Sequence, residues 1–503
     1  MSTYDFYYDE TEHSRKINYN TVNASNYYDN FITVIVGWSK EKERDISEKY
    51  NAFETKYKER KDSSGELKST TLHQKHFRYG FASLNEQNVQ FIDDFLSVFD
   101  EETHFYFAIA SKIEYIVMQL FSSYKNNLLL DADAMKYSII KALVAYRPEE
   151  IIKCIYESPE LFVDALKVFF RDRIENNKNN LKLKHRESTA FMEILLFLEN
   201  ISEKPEQNWD YHMPFAGFKK YLQEEQIEDY FLMIDKEGEP NKESKTLRAA
   251  REMGLHNSKE GNSLDRYGLR MADMMAGIIS KLLKSLCDSL KYHSFEEGIK
   301  KKVLDLKWFQ VNDCQLKLYK KLHKIVCEWD HAWYKSYASV YSDDLILFIA
   351  ILNFMNHFES VEQIESENMM MQGEYFNAFA CQQLSDYFNR RKHKLPIEPI
   401  VSSNKDYFLN QRGAKVYYDS RKQPRFFIRE GSKTIDVLSV GMSRTGSPLI
   451  TVLENEHPIC YCLPQELSEW AYTIIGMANM GNNLFPSKVT FSKINGKYYA
   501  DIL

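Results

Sequence analysis

Asp9 follows an aromatic, strand-like run, Tyr4 to Tyr8, and is itself followed by Glu10 and Thr11. Asp235 closes a second such run, Asp229 to Ile234. Asp273 lies in Leu269-Arg270-Met271-Ala272-Asp273-Met274-Met275-Ala276-Gly277, the opening of a helix that the apolar pattern carries to about Leu286. In an α/β sheet, ligands collect at the carboxyl ends of the strands. Carboxylates brought together there repel one another unless a cation is shared. Oxygen-only ligand sets suit hard divalent ions such as Mg2+ or Mn2+, and a pair of such ions can clamp the attacking and leaving oxygens of a phosphodiester. Taken singly, a strand-end Asp is as readily a turn former, and an Asp in a helix is usually an exposed boundary residue.

The elements that must position these acids can be read from periodicity. Ala272, Met275, Ala276, Ile279, Leu283 and Leu286 form one apolar stripe at three- and four-residue steps. Asp273 sits beside that stripe, among Leu269, Ala276, Gly277 and Ser280. Three of these neighbours are small, so another stretch of backbone is expected to come close and hold the carboxylate at the edge of a core. Phe31 to Val36 is a β-branched run that predicts a buried central strand. His104 to Ala110 predicts another, His76 to Ala82 a further one, and Lys40 to Arg60 and Asn88 to Phe99 predict helices. His256 to Asp265 reads as a polar loop leading into the Asp273 helix.

Strand signal lapses from about Tyr124 to Glu203, where helical periodicity takes over, and this stretch is expected to be an insertion. Beyond Tyr292 the chain reads as helical, then passes through a linker at Pro396 and Pro399 into a β-rich end from Lys415, with one helix over Pro464 to Met477. The expected organisation is thus an α/β domain split between residues 1–123 and 205–291, a helical insertion at 124–204, a helical region at 292–395 and a β-rich C-terminal domain, of a size to form a small barrel, at 396–503.

The totals bound the function. The chain has 503 residues, 44% hydrophobic and 27% charged, which describes a globular protein of several domains. Its formal net charge of −7 means that binding nucleic acid would need local basic patches. The longest apolar run, Leu345 to Phe354, is about half of what a bilayer-spanning helix needs. The polar N-terminus has no signal-peptide pattern, so a cytoplasmic protein with no membrane partner is expected. Seven scattered cysteines without a C-x-x-C pair read as free thiols.

Tyr8-Asp9-Glu10-Thr11 resembles the Asp-Glu-Ser opening of a bacterial family catalogued as domain of unknown function 3800, which has a ribonuclease H-like fold. Glu66-Leu67-Lys68-Ser69 is similar to that family's Glu-x-Lys segment, and Leu269 to Gly277 to its closing Leu-Gln-Leu-Ala-Asp-Leu-x-Ala-Gly motif. The resemblance covers roughly residues 4–120 and 205–290, in order. It implies that Asp9, Asp235 and Asp273 are metal ligands for Mg2+ or Mn2+, with Glu10 and Glu66 as additional catalytic acids. It also implies a nuclease acting through metal-activated water, and a role as an effector in bacterial anti-phage defence. The chain departs from the family in having Ser111-Lys112 where an Asp-Lys pair is common, Thr11 in place of Ser and Arg270 in place of Gln. The Ser111 change would weaken the site if that Asp binds metal.

A nuclease must also hold a phosphate backbone, for which clustered Lys and Arg serve. Lys178, Lys182, Lys184 and Arg186 in the insertion, and Arg390, Arg391 and Lys392 before the linker, are the candidates for binding RNA or DNA. Tyr417, Tyr418, Phe426 and Phe427 in the β-rich end are candidates for stacking on bases, although strand aromatics more often belong to a core. Two readings follow. One is a divalent-metal-dependent nuclease. The other is an inert ribonuclease H-like module that binds nucleic acid or a protein partner, which Ser111 favours and the intact Asp9 and Asp273 oppose.

Overall fold

Apolar side chains alternate to both faces of β1 (Tyr4–Thr11), and the sheet built around it is covered on both. The computed structural model describes residues 3–503 apart from 12–19, 21–26, 122–123, 125–131, 200, 202–210, 237–241, 295, 331, 393–406, 411, 418–421, 444–445, 455–456 and 480–482. Strand β2 (Asn30–Ser39) pairs antiparallel with β1. The short β3 (Arg78–Phe81) lies outside this sheet, and β4 (His104–Ser111) pairs antiparallel with β2. On its other side β1 runs parallel to β5 (Tyr230–Asp235), and β5 parallel to β6 (Ser258–Gly261). A two-residue β7 (Ser336–Tyr337) adds parallel to β4, giving the order β6-β5-β1-β2-β4-β7.

One face of the sheet carries Tyr7, Val34, Val36, Phe107 and Met233, packed against Met271, Met275 and Ile279 of the helix Tyr267–Leu290. The other carries Phe6, Tyr8, Ile35, Tyr106 and Leu232, packed against Phe215, Phe218 and Tyr221 of the helix His212–Glu224. The predicted mixture of strand and helix is therefore present as a mixed sheet between helical layers. Two strands of this sheet were not legible. β6 falls in the segment expected to be a loop, because Ser-Lys-Glu-Gly at a sheet edge needs no apolar alternation. β7 is too short to show any period.

The insertion folds as the helices Ala132–Tyr146, Glu149–Glu157, Phe162–Asn177 and Leu181–Leu198 around its own cluster, including Ile139, Leu143, Phe170 and Ile194. The region after Tyr292 does not stand apart. Its helices Asp313–His323 and Asp343–His357 bury Leu316, Tyr319, Phe348 and Ile351 in the same core as the helix Tyr267–Leu290. No helix among the described residues is long and apolar enough to cross a membrane.

The chain divides into two compact units, Met1–Leu384 and Ser385–Leu503. The second has a two-stranded sheet, β8 (Tyr407–Leu409) and β9 (Lys415–Tyr417). It also has an antiparallel sheet of β10 (Gly431–Met442), β11 (Pro448–Glu454), β12 (His457–Cys462), β13 (Ser487–Ile494) and β14 (Lys497–Ile502). The order β12-β11-β10-β13-β14 leaves an open sheet where a barrel was expected. The helix Ser468–Asn479 covers it, and Val437, Ile450, Val489 and Phe491 form its core.

Candidate carboxylate site

The site is built from the register of two parallel strands and one helix. Tyr8 of β1 stands beside Ile234 of β5, so Asp9 and Asp235 are neighbours at the carboxyl ends of adjacent strands. Side chains alternate along a strand. Asp9 shares its face with Tyr7, and Asp235 shares its face with Met233; both belong to the layer that the helix Tyr267–Leu290 covers. Asp273 comes from the second turn of that helix.

Two glycines bring the helix this close. A Cβ at Gly268 would lie 2.3 Å from the Tyr7 ring, and one at Gly277 would lie 2.2 Å from Ser69 Cβ. The close approach expected of the small-residue face is thus made by the segment around Ser69. The Ser69 backbone N–H donates to Asp273 Oδ2 at 2.8 Å and its hydroxyl to Asp273 Oδ1 at 2.9 Å. These bonds fix the carboxylate and favour its charged form. Even so, burial holds the Asp273 carboxyl above the usual carboxylate range, with Ser69, Lys281 and Lys68 working in the opposite direction.

Asp9 is raised further. Burial is the largest cause, followed by the Asp273 charge; the Glu10 backbone N–H, donating at 2.7 Å, opposes them, and the Asp235 and Glu10 charges add to the rise. Asp9 therefore feels the charges of both other aspartates. All are oxygen donors, and a hard divalent cation is the partner their chemistry fits. They are not drawn tightly together, however. Among the described residues, the set of three or more His, Cys, Asp or Glu ligand atoms that all lie within 4.8 Å of one another is a different one, His104, Glu225 and Asp330.

The remaining candidate acids are turned elsewhere. Glu10 follows Asp9 and so faces the opposite layer, where its carboxylate accepts from the Tyr8 hydroxyl. Glu66 is buried and pairs with Lys68 Nζ at 2.8 Å. Burial pushes its carboxyl up, but Lys68 and the Ser263 hydroxyl outweigh that and hold it low. Arg270, the departure from Gln, is bonded to Glu54 at 2.6 Å and to the Ser263 carbonyl.

Ser111 has a local task. Its hydroxyl accepts from the Glu114 N–H at 3.0 Å, capping the helix Lys112–Leu120, and donates to Asp29. Lys112 is buried and donates to the Tyr28 carbonyl at 2.8 Å. Ser111 pairs with Asn30 whereas Asp9 pairs with Val34, so Ser111 lies four residues along β2 from the Asp9 register. A Ser–Asp exchange at this position swaps one good N-cap for another.

The basic candidates divide. Lys184 lies on the inner face of the helix Leu181–Leu198, buried and spent on Tyr146 Oη at 2.9 Å and Glu187 at 3.0 Å, so it is not a surface cation as expected. A buried ammonium needs such partners. Lys178 is exposed but paired with Glu175, and Lys182 and Arg186 are exposed one turn apart. Arg390, Arg391 and Lys392 end the helix Gln372–Lys392, with side chains outside the described residues. Phe426 is core, packed against Phe491, whereas Phe427 is 81% exposed. Tyr417 is half-buried, and Tyr418 lies outside the described residues.

The His104, Glu225 and Asp330 trio lies at the opposite edge of the sheet and was not anticipated. His104 begins β4 beside Gly37, with its ring against Tyr4. Its Nδ1 lies 2.7 Å from Tyr221 Oη, which is 3.2 Å from Asp330. His and carboxylates are metal-ligand types. The buried Lys335, whose ammonium donates to the Trp329 carbonyl, is near enough for its charge to act on all three or be acted on by them. Burial lowers its ammonium to about 8, against the pull of Asp330, Cys327 and Glu225. Burial and the Asp330 and Glu224 charges push the Glu225 carboxyl up to about 7, against Lys335. A metal there would bind against the positive charge of that ammonium. The three residues come from distant elements with no shared spacing, so only the folded chain reveals them.

No family model matches the chain, and no curated protein and no solved structure matches it.

Proposed function

We propose that the chain is a divalent-metal-dependent nuclease of ribonuclease H-like fold, with Asp9, Asp235 and Asp273 holding Mg2+ or Mn2+. The observation that carries this reading is the placing of three half-buried carboxylates on one side of the sheet, from the ends of two adjacent parallel strands and the helix packed on them, with the charges of Asp273 and Asp235 acting on Asp9. The strand order, with antiparallel β4-β2-β1 continued by parallel β5 and β6, supports it. So does the resemblance of the segments carrying Asp9 and Asp273 to the domain of unknown function 3800. A bound divalent ion would supply Lewis-acid activation of water and neutralise charge at a phosphodiester. Ser69 holds Asp273 in place for that ion, and the raised affinity of Asp9 for a proton marks where positive charge is wanted. Lys182 and Arg186 are the exposed cations that a nucleic acid would meet on the insertion.

The wider spacing of the carboxylates favours the second reading, an inert module that binds nucleic acid or protein. Labelled single-stranded RNA and DNA, incubated with the protein and Mn2+ or Mg2+, separate the two. The nuclease reading expects metal-dependent cleavage that Asp9→Asn and Asp273→Asn each reduce at least a hundredfold, with folding intact by circular dichroism. Cleavage by purified Asp273→Asn at the parent rate would remove the site assignment.

A further inference from the structure

We infer that Lys68 is the residue that contacts the substrate phosphate at this site, held for that purpose by the buried Glu66. The inference rests on the carboxylate site being a nuclease site and names its anion contact. Lys68 immediately precedes Ser69, whose N–H and hydroxyl are both bonded to Asp273. The chain therefore fixes the base of the Lys68 side chain next to the carboxylates, in a segment that Gly277 allows to lie against the helix. Its ammonium is among the positive charges acting on Asp273.

The pairing of Lys68 is lopsided. Glu66 Oε2 lies 2.8 Å from Nζ and its side chain is 4% exposed, whereas Lys68 is 43% exposed; the other neighbour, Asp62, is at 3.7 Å. A buried carboxylate thus anchors the ammonium of a side chain that solvent still reaches. An ammonium carries three donors in rotatable positions, so one can stay on Glu66 while others reach a phosphate oxygen. Lys281, the other cation acting on Asp273, donates instead to the Gly277 carbonyl of its own helix at 3.3 Å. One short segment, Glu66 to Ser69, would then do two jobs. Ser69 orients a metal-binding carboxylate, and Lys68 receives the charge that the metal alone does not balance. The competing account is that Lys68 only neutralises Glu66 and Asp62.

The test uses the full chain and a fluorescein-labelled phosphorothioate oligonucleotide, read by anisotropy in Mn2+ across a salt series. Lys68→Gln is expected to weaken binding about tenfold and to flatten the log–log salt slope by about 0.7, the value of one single-strand phosphate contact. Lys68→Arg should keep the slope. Glu66→Gln should weaken binding less than Lys68→Gln, because the cation remains but is no longer anchored. Mn2+ should still raise the melting temperature of Lys68→Gln as it does the parent. If Lys68→Gln binds the oligonucleotide like the parent, with the same slope, while Mn2+ still stabilises both, the inference is overturned and the metal site stands. If Mn2+ leaves the parent's melting and cleavage unchanged, the nuclease reading falls instead.

Discussion

At the scale of single residues, Asp9 and Glu10 show how much one step along a strand decides. Asp9 was a candidate from its place at a strand end, and Glu10 from the family resemblance. Alternation places Asp9 toward Asp273 and Asp235 and turns Glu10 into the opposite layer against Tyr8. That much is legible once β1 is recognised as a strand, because Phe6 and Tyr8 share the face of Glu10. The environment of Asp9 has a consequence for stability. Its folded-state pKa is raised, so its protonated form is favoured on folding. The stability it contributes is fully present below the unfolded value of about 3.9 and is lost as pH rises through the folded value. Without metal, stability should therefore fall as pH is raised from about 4 toward neutrality, by up to about 1.4 kcal/mol per pH unit for this one proton, and the melting temperature with it. Asp9→Asn has no proton to lose and should flatten this dependence. Parallel melting-versus-pH curves for parent and variant in chelator would show that Asp9 is an ordinary exposed carboxylate.

At the scale of elements, the helix Tyr267–Leu290 was the clearest feature of the chain, and its small-residue face correctly foretold a close backbone neighbour. Which backbone it would be was not legible, since Ser69 and Asp273 are 204 positions apart and nothing local couples them. Ser111 was legible only as a departure from the family, one that would weaken the site if the family's Asp there binds metal; that its hydroxyl caps the next helix was not legible. The helix–segment contact can be tested at Gly277. Alanine is about 1 kcal/mol better than glycine in a helix interior, but its Cβ would sit 2.2 Å from Ser69 Cβ. That atom is tied to the backbone and cannot swing aside, and overpacking of this kind typically costs about 1–3 kcal/mol. Gly277→Ala should therefore destabilise the protein by up to about 2 kcal/mol and weaken its Mn2+ response, as the segment bearing Ser69 is pushed off Asp273. Adding Ser69→Gly relieves the clash, so the double variant should regain stability in denaturant titrations without regaining the metal response. A Gly277→Ala variant as stable as the parent and equally responsive to Mn2+ would mean that the contact is not what places the carboxylate.

At the scale of the whole molecule, long apolar runs such as Phe31 to Val36 and His104 to Ala110 announced the centre of the first sheet, while its edges β6 and β7 left almost no trace in composition. The same difference explains why the region after Tyr292 read as a separate helical stretch. Its apolar residues signal burial but cannot say against what, and they bury against the helix that carries Asp273. The carboxylate site thus belongs wholly to the Met1–Leu384 unit, and Ser385–Leu503 has a core of its own. Two cores predict two calorimetric transitions, only one of which should sense metal. A ligand at a hundred times its dissociation constant stabilises the unit that binds it by about 2.7 kcal/mol, which for a unit of this size is a shift on the order of a few degrees. Trp470 is the one tryptophan after residue 384 and packs on Phe491. Trp470→Phe therefore identifies the fluorescence transition of the second unit by removing it. Mn2+ should raise the other transition in the parent, raise it less in Asp9→Asn, and leave the Trp470 transition where it was. A shift confined to the Trp470 transition would place the ion in the second unit, away from all three aspartates. A shift of the first transition that survives in both Asp9→Asn and Asp273→Asn but disappears in His104→Ala would instead place it at His104, Glu225 and Asp330, on the opposite edge of the same sheet.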